Sequence, residues 1–178
     1  MRRRGKCMVH IYHGDGKGKT TAAMGLALRM LGTGKKVFIV QFLKGRPSGE
    51  IVALLKMDGA TVLRGKPDTK FVFEMSQAEK QDVRDLHTRQ MRLAFSAAEA
   101  GRADLLVLDE VLDAIATDTL NEQELLDLLA ACRPETEIVL TGRNPSREML
   151  QIADYVTHMK KEKHPYDRGA AARKGIEY

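Results

Sequence analysis

The chain is short of several features that would each have steered its interpretation. Its 178 residues include two cysteines, Cys7 and Cys132, which form no closely spaced metal-ligand pattern. No stretch reaches eighteen consecutive apolar residues, which excludes a membrane-spanning helix by sequence. Met1-Arg-Arg-Arg-Gly-Lys6 is followed by no apolar run of signal-peptide length. With nothing to imply an oxidising compartment, the thiols are expected to be reduced and the protein cytoplasmic. There is no Ser/Pro-rich linker, low-complexity block or internal repeat, so residues 1–178 are expected to form a single domain. Familiar catalytic arrangements are missing as well. No Ser-His-Asp or Cys-His pattern stands out, and no spacing singles out a general acid–base pair.

What is present describes one globular domain able to bury a full core without staples: 43% of residues are apolar and 30% charged. The net charge of +5 conceals an asymmetry. Residues 99–137 hold eleven acids against Arg102 and Arg133 alone, so the rest of the chain carries +14. Such a division suits a protein that holds a polyanion at one end. It would also draw nucleic acid to a basic surface, and charge does not choose between the two.

Short apolar runs alternate with segments of helical period. Val9-His-Ile-Tyr12 leads through glycines into Thr20–Leu31, where Ala23, Leu26, Ala27 and Met30 share one helical face. Lys36–Leu43 and, more weakly, Ala60–Leu63 have the β-branched and aromatic content of strands. Ser76 and Glu79 form a capping box that opens a long helix ending near Gly101. Asp104-Leu-Leu-Val-Leu-Asp109 is apolar on both faces, as a buried parallel strand requires. Asn121 and Glu124 start another helix, Glu137–Thr141 gives a strand, Ser146–Ala153 a short helix and Tyr155–Met159 a last strand. Strands separated by helices need crossover connections. The expected fold is therefore α/β, a mostly parallel sheet with helices on both faces.

His13-Gly-Asp-Gly-Lys-Gly-Lys-Thr-Thr21 falls between the first strand and the first helix, the context a phosphate-binding P-loop needs. Gly14, Gly16 and Gly18 let backbone N–H groups turn towards phosphate oxygens, and the helix presents its positive end. Asp15, Lys17, Lys19, Thr20 and Thr21 complete the candidate ATP-binding segment, with Lys19 neutralising phosphate charge and the Thr20 hydroxyl reaching Mg²⁺. The usual G-x-x-x-x-G-K-T spacing would put glycine at 13, where this chain has His13; Gly14 comes one residue late. The loop is effectively shortened, so γ-phosphoryl transfer does not follow from the motif. The second half-site is the strand end Leu105-Leu-Val-Leu-Asp-Glu110. Asp109 and Glu110 are candidate Mg²⁺ ligands, direct or through water, or else an acidic helix cap.

Further segments resemble the ATP:cob(I)alamin corrinoid adenosyltransferases of bacterial cobalamin synthesis. They are His13–Ala23, Gln41-Phe-Leu-Lys-Gly45 with Gly49-Glu50, Val107–Glu110, Thr141-Gly-Arg143, Lys163–Gly169 and Ala172–Tyr178. The resemblance implies a P-loop fold similar to the recombinase core, a homodimer, and transfer of the 5′-deoxyadenosyl group from ATP to cobalt with release of triphosphate. The acceptor it implies is cob(I)alamin or cobyrinic acid a,c-diamide in its Co(I) state, with Mg²⁺ as cofactor and a flavoprotein as the reductant. Nucleic acid and membrane are not expected partners. The resemblance also implies a reversed ATP on the loop, in keeping with the displaced glycine. Such a reaction needs no protein base, because cobalt is the nucleophile and the leaving group is already ionised; positioning and charge stabilisation, by Lys19 and Thr20 above all, are the protein's work.

In that family aromatic side chains near a Phe-x-Trp stretch approach the lower face of the corrin. Here the stretch reads Phe71-Val-Phe-Glu74, which makes Phe71 and Phe73 the candidate corrinoid contacts; a short strand with both rings in the core is the competing reading. Arg143, past a strand end, is placed to contact phosphate or ribose, or else pairs with a surface acid. Gln41, Lys44 and Glu50 are candidates for either substrate, and His164 for ordering the tail. A P-loop kinase or ATPase and a nucleotide-responsive binding protein are the other readings the motif permits.

Overall fold

A computed structural model describes residues 6–45, 48–65, 70 and 72–177. Six strands, β1 (Met8–His13), β2 (Val37–Gln41), β3 (Ala60–Arg64), β4 (Leu105–Asp109), β5 (Glu137–Gly142) and β6 (Tyr155–His158), form one sheet in the order β3-β2-β4-β5-β1-β6. Every pairing among the described residues is parallel. The crossovers are carried by α1 (Lys19–Leu31), α2 (Gly49–Leu54), α3 (Gln77–Glu99), α4 (Val111–Ala116), α5 (Glu122–Ala131) and α6 (Arg147–Ile152). The fold is the expected α/β, P-loop-type architecture. Because all strands run the same way, all their C-terminal ends meet one edge, where open α/β sheets bind ligands.

The period-two alternation of the central strands divides the core between the two faces. Leu105 and Val107 of β4 pack with Ala23 and Ala27 of α1 and Ile51 and Leu54 of α2. Leu106 and Leu108 pack on the other face with Met91 and Phe95 of α3 and Leu125 and Leu129 of α5. The predicted stripe of α1 is the one that faces inward, with Ala23, Met24, Ala27 and Leu31 buried and Leu26 and Met30 partly so. The capping box of α3 is present in both directions: Ser76 Oγ accepts from Glu79 N–H at 3.2 Å, and Glu79 Oε2 accepts from Ser76 N–H at 2.7 Å.

Three local expectations need correcting. Helices α2 and α4, six residues each, had too little periodicity to register beside their apolar neighbours. The strand expected to reach Leu43 stops at Gln41, since Leu43 takes the left-handed conformation (φ 56°) and ends the ladder. Residues Val72–Glu74 form a 3₁₀ turn, not a strand, and Phe73 is 81% exposed, so it is not a core residue. Phe71 lies outside the described residues.

Helix α3 also buries a histidine. His87 is 2% exposed, its Nδ1 lies 3.2 Å from Thr119 Oγ1, and its ring meets Phe42 edge-on at 5.1 Å. Burial pushes its pKa from the ordinary 6.5 down to about 4. Between these values the unfolded chain binds a proton that the folded chain refuses, so stability falls as pH drops from about 6.5 to about 4, by roughly 3 kcal/mol in total. Urea denaturation of the wild type and His87→Gln at a series of pH values will measure this. The stability difference between the two should shift by that amount across the window; a constant difference would refute it.

Candidate active site

The phosphate loop joins β1 to α1 at the binding edge. Gly18, the residue before α1, has φ 113°, a conformation that glycine alone adopts freely. The first intrahelical bond runs from Ala22 N–H to the Gly18 carbonyl at 2.8 Å, so the N–H groups of Lys19, Thr20 and Thr21 have no carbonyl within the helix to bind and are exposed at its positive end. Gly14 and Gly16 serve a different purpose. Their N–H groups donate to the carbonyls of Arg143 (3.2 Å) and Met159 (2.7 Å), and a Cβ on either would lie 2.5 Å from the Met159 carbonyl oxygen. They are small because the chain after β6 crosses directly over them.

That crossing segment is the C-terminal tail. Lys161 N–H donates to Asp15 Oδ1 at 3.1 Å, and Lys17 Nζ donates to the Ile176 carbonyl (3.1 Å) and Glu177 Oε1 (2.9 Å). Asp15 and Lys17, predicted ATP contacts, thus bind the tail in the ligand-free chain. Within the tail His164 Nδ1 accepts from Tyr166 N–H at 3.2 Å and caps a 3₁₀ turn, an ordering role. Lys19 Nζ rests on the Gly16 carbonyl at 2.8 Å, and burial together with nearby Arg143 lowers its pKa from the ordinary lysine value. A polyanion at the loop would relieve both effects. Thr21 is exposed on the first turn of α1, away from the cavity lining.

Deeper in the site Asp109 is wholly buried at the end of β4 and accepts four hydrogen bonds. Thr20 Oγ1 and Thr141 Oγ1 donate to Oδ1, both at 2.8 Å; Gln41 Nε2 (3.1 Å) and Lys44 Nζ (2.9 Å) donate to Oδ2. Every acceptor position of a carboxylate is used. Strands β1 and β4 are not neighbours, since β5 lies between them, and the link to Thr20 is made as α1 crosses the sheet. Glu110 follows in the left-handed region (φ 61°), its N–H held by Thr141 Oγ1 at 2.8 Å and its Oε1 3.1 Å from Lys44 Nζ. Burial raises the pKa of Glu110 above the ordinary value, against the pull of Lys44. Burial also opposes the charge on Lys44, but Asp109 and Glu110 more than offset it and hold the ammonium above its ordinary pKa.

These residues open into a cavity of about 1010 Å³. Its lining includes Lys19, Thr20, Lys44, Glu110, Asp113 and Arg143, and also Val72, Phe73, Met75, Val83 and Leu86 with the charged Lys70, Glu74, Lys80 and Asp82 among them. Arg143 attracts the partly buried Asp113, whose pKa burial nonetheless raises. A hard-oxygen set of a hydroxyl and two carboxylates around one cation is the chemistry that Mg²⁺ selects. No group of three or more His, Cys, Asp or Glu side chains among the described residues forms a metal cage.

The family model described as ATP:corrinoid adenosyltransferase BtuR/CobO/CobP matches residues 5–178. The chain belongs to this adenosyltransferase family. Curated relatives include the corrinoid adenosyltransferase of Escherichia coli K12, 32% identical over 172 residues that cover 96% of this chain and 85% of that protein. The corrinoid adenosyltransferase CobA of Salmonella typhimurium is 35% identical over the same shares, and that of a Sinorhizobium species 31% identical over 97% and 81%.

In this adenosyltransferase-family chain Lys19, Thr20, Asp109, Glu110 and Arg143 come together around one cavity, which Phe73 also lines, while Asp15 and Lys17 face the tail. Thr141 and Asp113 were not singled out from sequence. Thr141 stood two residues before Arg143 in a recognised segment, and Asp113 sits four residues after Asp109, in the first turn of the unanticipated α4.

The two acidic positions should respond differently to removal of charge. Asp109→Asn places an amide N–H₂ among four donors at a fully buried site and should cost about 3–5 kcal/mol of stability. Glu110→Gln, whose side chain is 32% exposed, should cost about 1 kcal/mol or less while raising the Mg²⁺ requirement. Thermal unfolding and a metal titration of each variant check this; equal destabilisation would refute the distinction.

Proposed function

We propose that the protein transfers the 5′-deoxyadenosyl group of ATP to the cobalt of a reduced corrinoid and releases triphosphate, in cobalamin biosynthesis or salvage. The observation that carries this reading is the single cavity joining a phosphate loop to an exposed phenylalanine, in a chain that matches the adenosyltransferase family along its length. A cavity of this volume lies at the top of the range that holds one ligand of drug size, and it suits two substrates meeting at its middle.

The chemistry asks the protein for placement and charge. Cob(I) cobalt attacks C5′ in line, the Co–C bond forms as C5′–O breaks, and triphosphate departs with the electron pair. Lys19, Arg143 and the N-terminus of α1 stabilise the charge that develops on the leaving oxygen. Thr20 and Glu110 would hold Mg²⁺, with Asp109 fixing the Thr20 hydroxyl so that its lone pairs face the metal; bound Mg²⁺ neutralises phosphate charge. Phe73 would form the apolar wall on the lower face of the corrin, and Phe71, outside the described residues, is kept as a corrinoid contact on its place in the sequence. Gly14, Asp15, Gly16, Lys17, Gly18 and Thr21 shape the loop that receives ATP, with Lys17 leaving Glu177 for phosphate. The same proposal includes cob(I)alamin or cob(I)yrinic acid a,c-diamide as acceptor, one domain over residues 1–178, a homodimer, a flavoprotein reductant and a cytoplasmic location. Among the described residues no helix is long and apolar enough to cross a membrane.

Incubation with Mg-ATP and chemically reduced cobalamin, followed by identification of both products, tests the reaction. Triphosphate and an adenosylated corrinoid are expected in equal amounts; ADP, the product of a kinase or ATPase, would overturn the proposal.

Phe73→Ala provides a second test. Because Phe73 is 81% exposed, its truncation should leave the melting temperature nearly unchanged, unlike loss of a buried phenylalanine, which costs about 3–5 kcal/mol. Reduction of bound Co(II) should slow markedly, while transfer from prereduced Co(I), which disfavours axial donors, should suffer far less. Equal loss in both assays would remove Phe73 from the corrinoid site.

A further inference from the structure

Among the described residues Lys44 is the one lysine whose ammonium lies among the oxygens of Thr20, Asp109 and Glu110. Its Nζ is 3.0 Å from Thr20 Oγ1, 2.9 Å from Asp109 Oδ2 and 3.1 Å from Glu110 Oε1. The backbone holds it there. Leu43 in the left-handed region turns the chain at the strand end, and the Lys44 carbonyl accepts from Gly65 N–H at 3.2 Å.

We infer that Lys44 is the resident counter-ion of these oxygens: it holds them in the nucleotide-free chain, gives way to the metal when Mg-ATP arrives, and carries its charge to the triphosphate. The inference rests on the reading of Thr20 and Glu110 as the metal-holding groups, with Asp109 beside them fixing the Thr20 hydroxyl. Two cations cannot share three oxygens at this range, because a dication and an ammonium a few ångströms apart repel strongly where solvent screening is incomplete. Departure of the ammonium costs Asp109 little, since Thr20, Thr141 and Gln41 remain as donors. It also returns to Thr20 Oγ1 the lone pair that Lys44 occupied. The displaced side chain lines the same cavity as Lys19 and Arg143, where phosphate oxygens replace the carboxylates as its partners. Metal arriving without nucleotide has to expel the lysine with no anion to receive it. Metal and nucleotide are therefore coupled: each binds weakly alone and promotes the other. Lys44 is in this sense a positioning residue. It keeps two neighbouring carboxylates from repelling and spares the site a stray divalent ion before substrate arrives.

The test is a titration of the full chain with Mn²⁺, a paramagnetic hard-oxygen substitute for Mg²⁺, followed by electron paramagnetic resonance without nucleotide and with ATP. Lys44→Met should bind free Mn²⁺ about tenfold or more tightly than the wild type, and the tightening that ATP confers should shrink by a similar factor. Its metal-free melting temperature should fall and recover on adding Mn²⁺. Lys44→Gln, more soluble should the apolar variant fold poorly, should show the same tightening. A merely structural lysine would lower the melting temperature without improving metal binding, and unchanged or weaker Mn²⁺ affinity in both variants overturns the proposal. Glu110→Gln separates the two layers of the argument. If it raises the metal requirement of the ATP complex while the Lys44 variants bind Mn²⁺ no better, the counter-ion role fails and the metal assignment stands. If the tightening seen in Lys44→Met survives the added Glu110→Gln change, the metal sits elsewhere and both fail.

Discussion

A buried carboxylate must be paired, and in this protein that requirement assembles the site. Asp109 has no solvent contact, so its two oxygens take donors from wherever the fold can bring them: α1 through Thr20, β5 through Thr141, β2 through Gln41 and the turn after β2 through Lys44. Each bond fixes the chain segment that supplies it. The phosphate loop, the strand end at Glu110 and the turn carrying Lys44 are located by one group whose desolvation would otherwise be very costly. Thr141 extends the arrangement, accepting the Glu110 N–H while donating to Asp109, and so supports a glutamate whose backbone is in an uncommon conformation.

Around that hub charges alternate over short distances. Lys19, Arg143, Asp113, Glu110 and Lys44 line one cavity, where their opposite charges offset one another. The phosphate loop is restrained from its outer side as well, where the tail ties Asp15 and Lys17 and crosses Gly14 and Gly16 too closely for any side chain to fit. The glycine pattern therefore has two origins. Gly18 is needed for its backbone conformation and Gly16 for the room it leaves a strand end from the far terminus of the chain, while Gly14 answers to both.

The same cavity is lined by apolar side chains near Phe73, among charged ones from Lys70, Glu74, Lys80 and Asp82. Phe73, on a 3₁₀ turn between β3 and α3, presents its ring to this space rather than to the core. Two substrates of unlike chemistry can meet in such a cleft without sharing a binding surface.

Sequence by itself determined whatever depends on contacts within about ten residues. The parallel α/β pattern, the stripe of α1, the capping box at Ser76 and the phosphate loop were all legible, because helical and strand periods and cap chemistry are local. Asp109, Glu110, Arg143 and Lys19 could be named one by one from motifs. Tertiary structure alone decided how they relate. It saturates Asp109, turns Lys17 to Glu177, requires Gly14 and Gly16 to be small on account of Met159, and puts Lys44 where the oxygens of Thr20, Asp109 and Glu110 converge. These facts join positions 24 to 160 residues apart, or hang on a left-handed turn of a residue that is not glycine, and no local period carries either. They follow from the parallel register, which gathers strand ends distant in sequence at one edge and leaves a buried charge there to choose its partners.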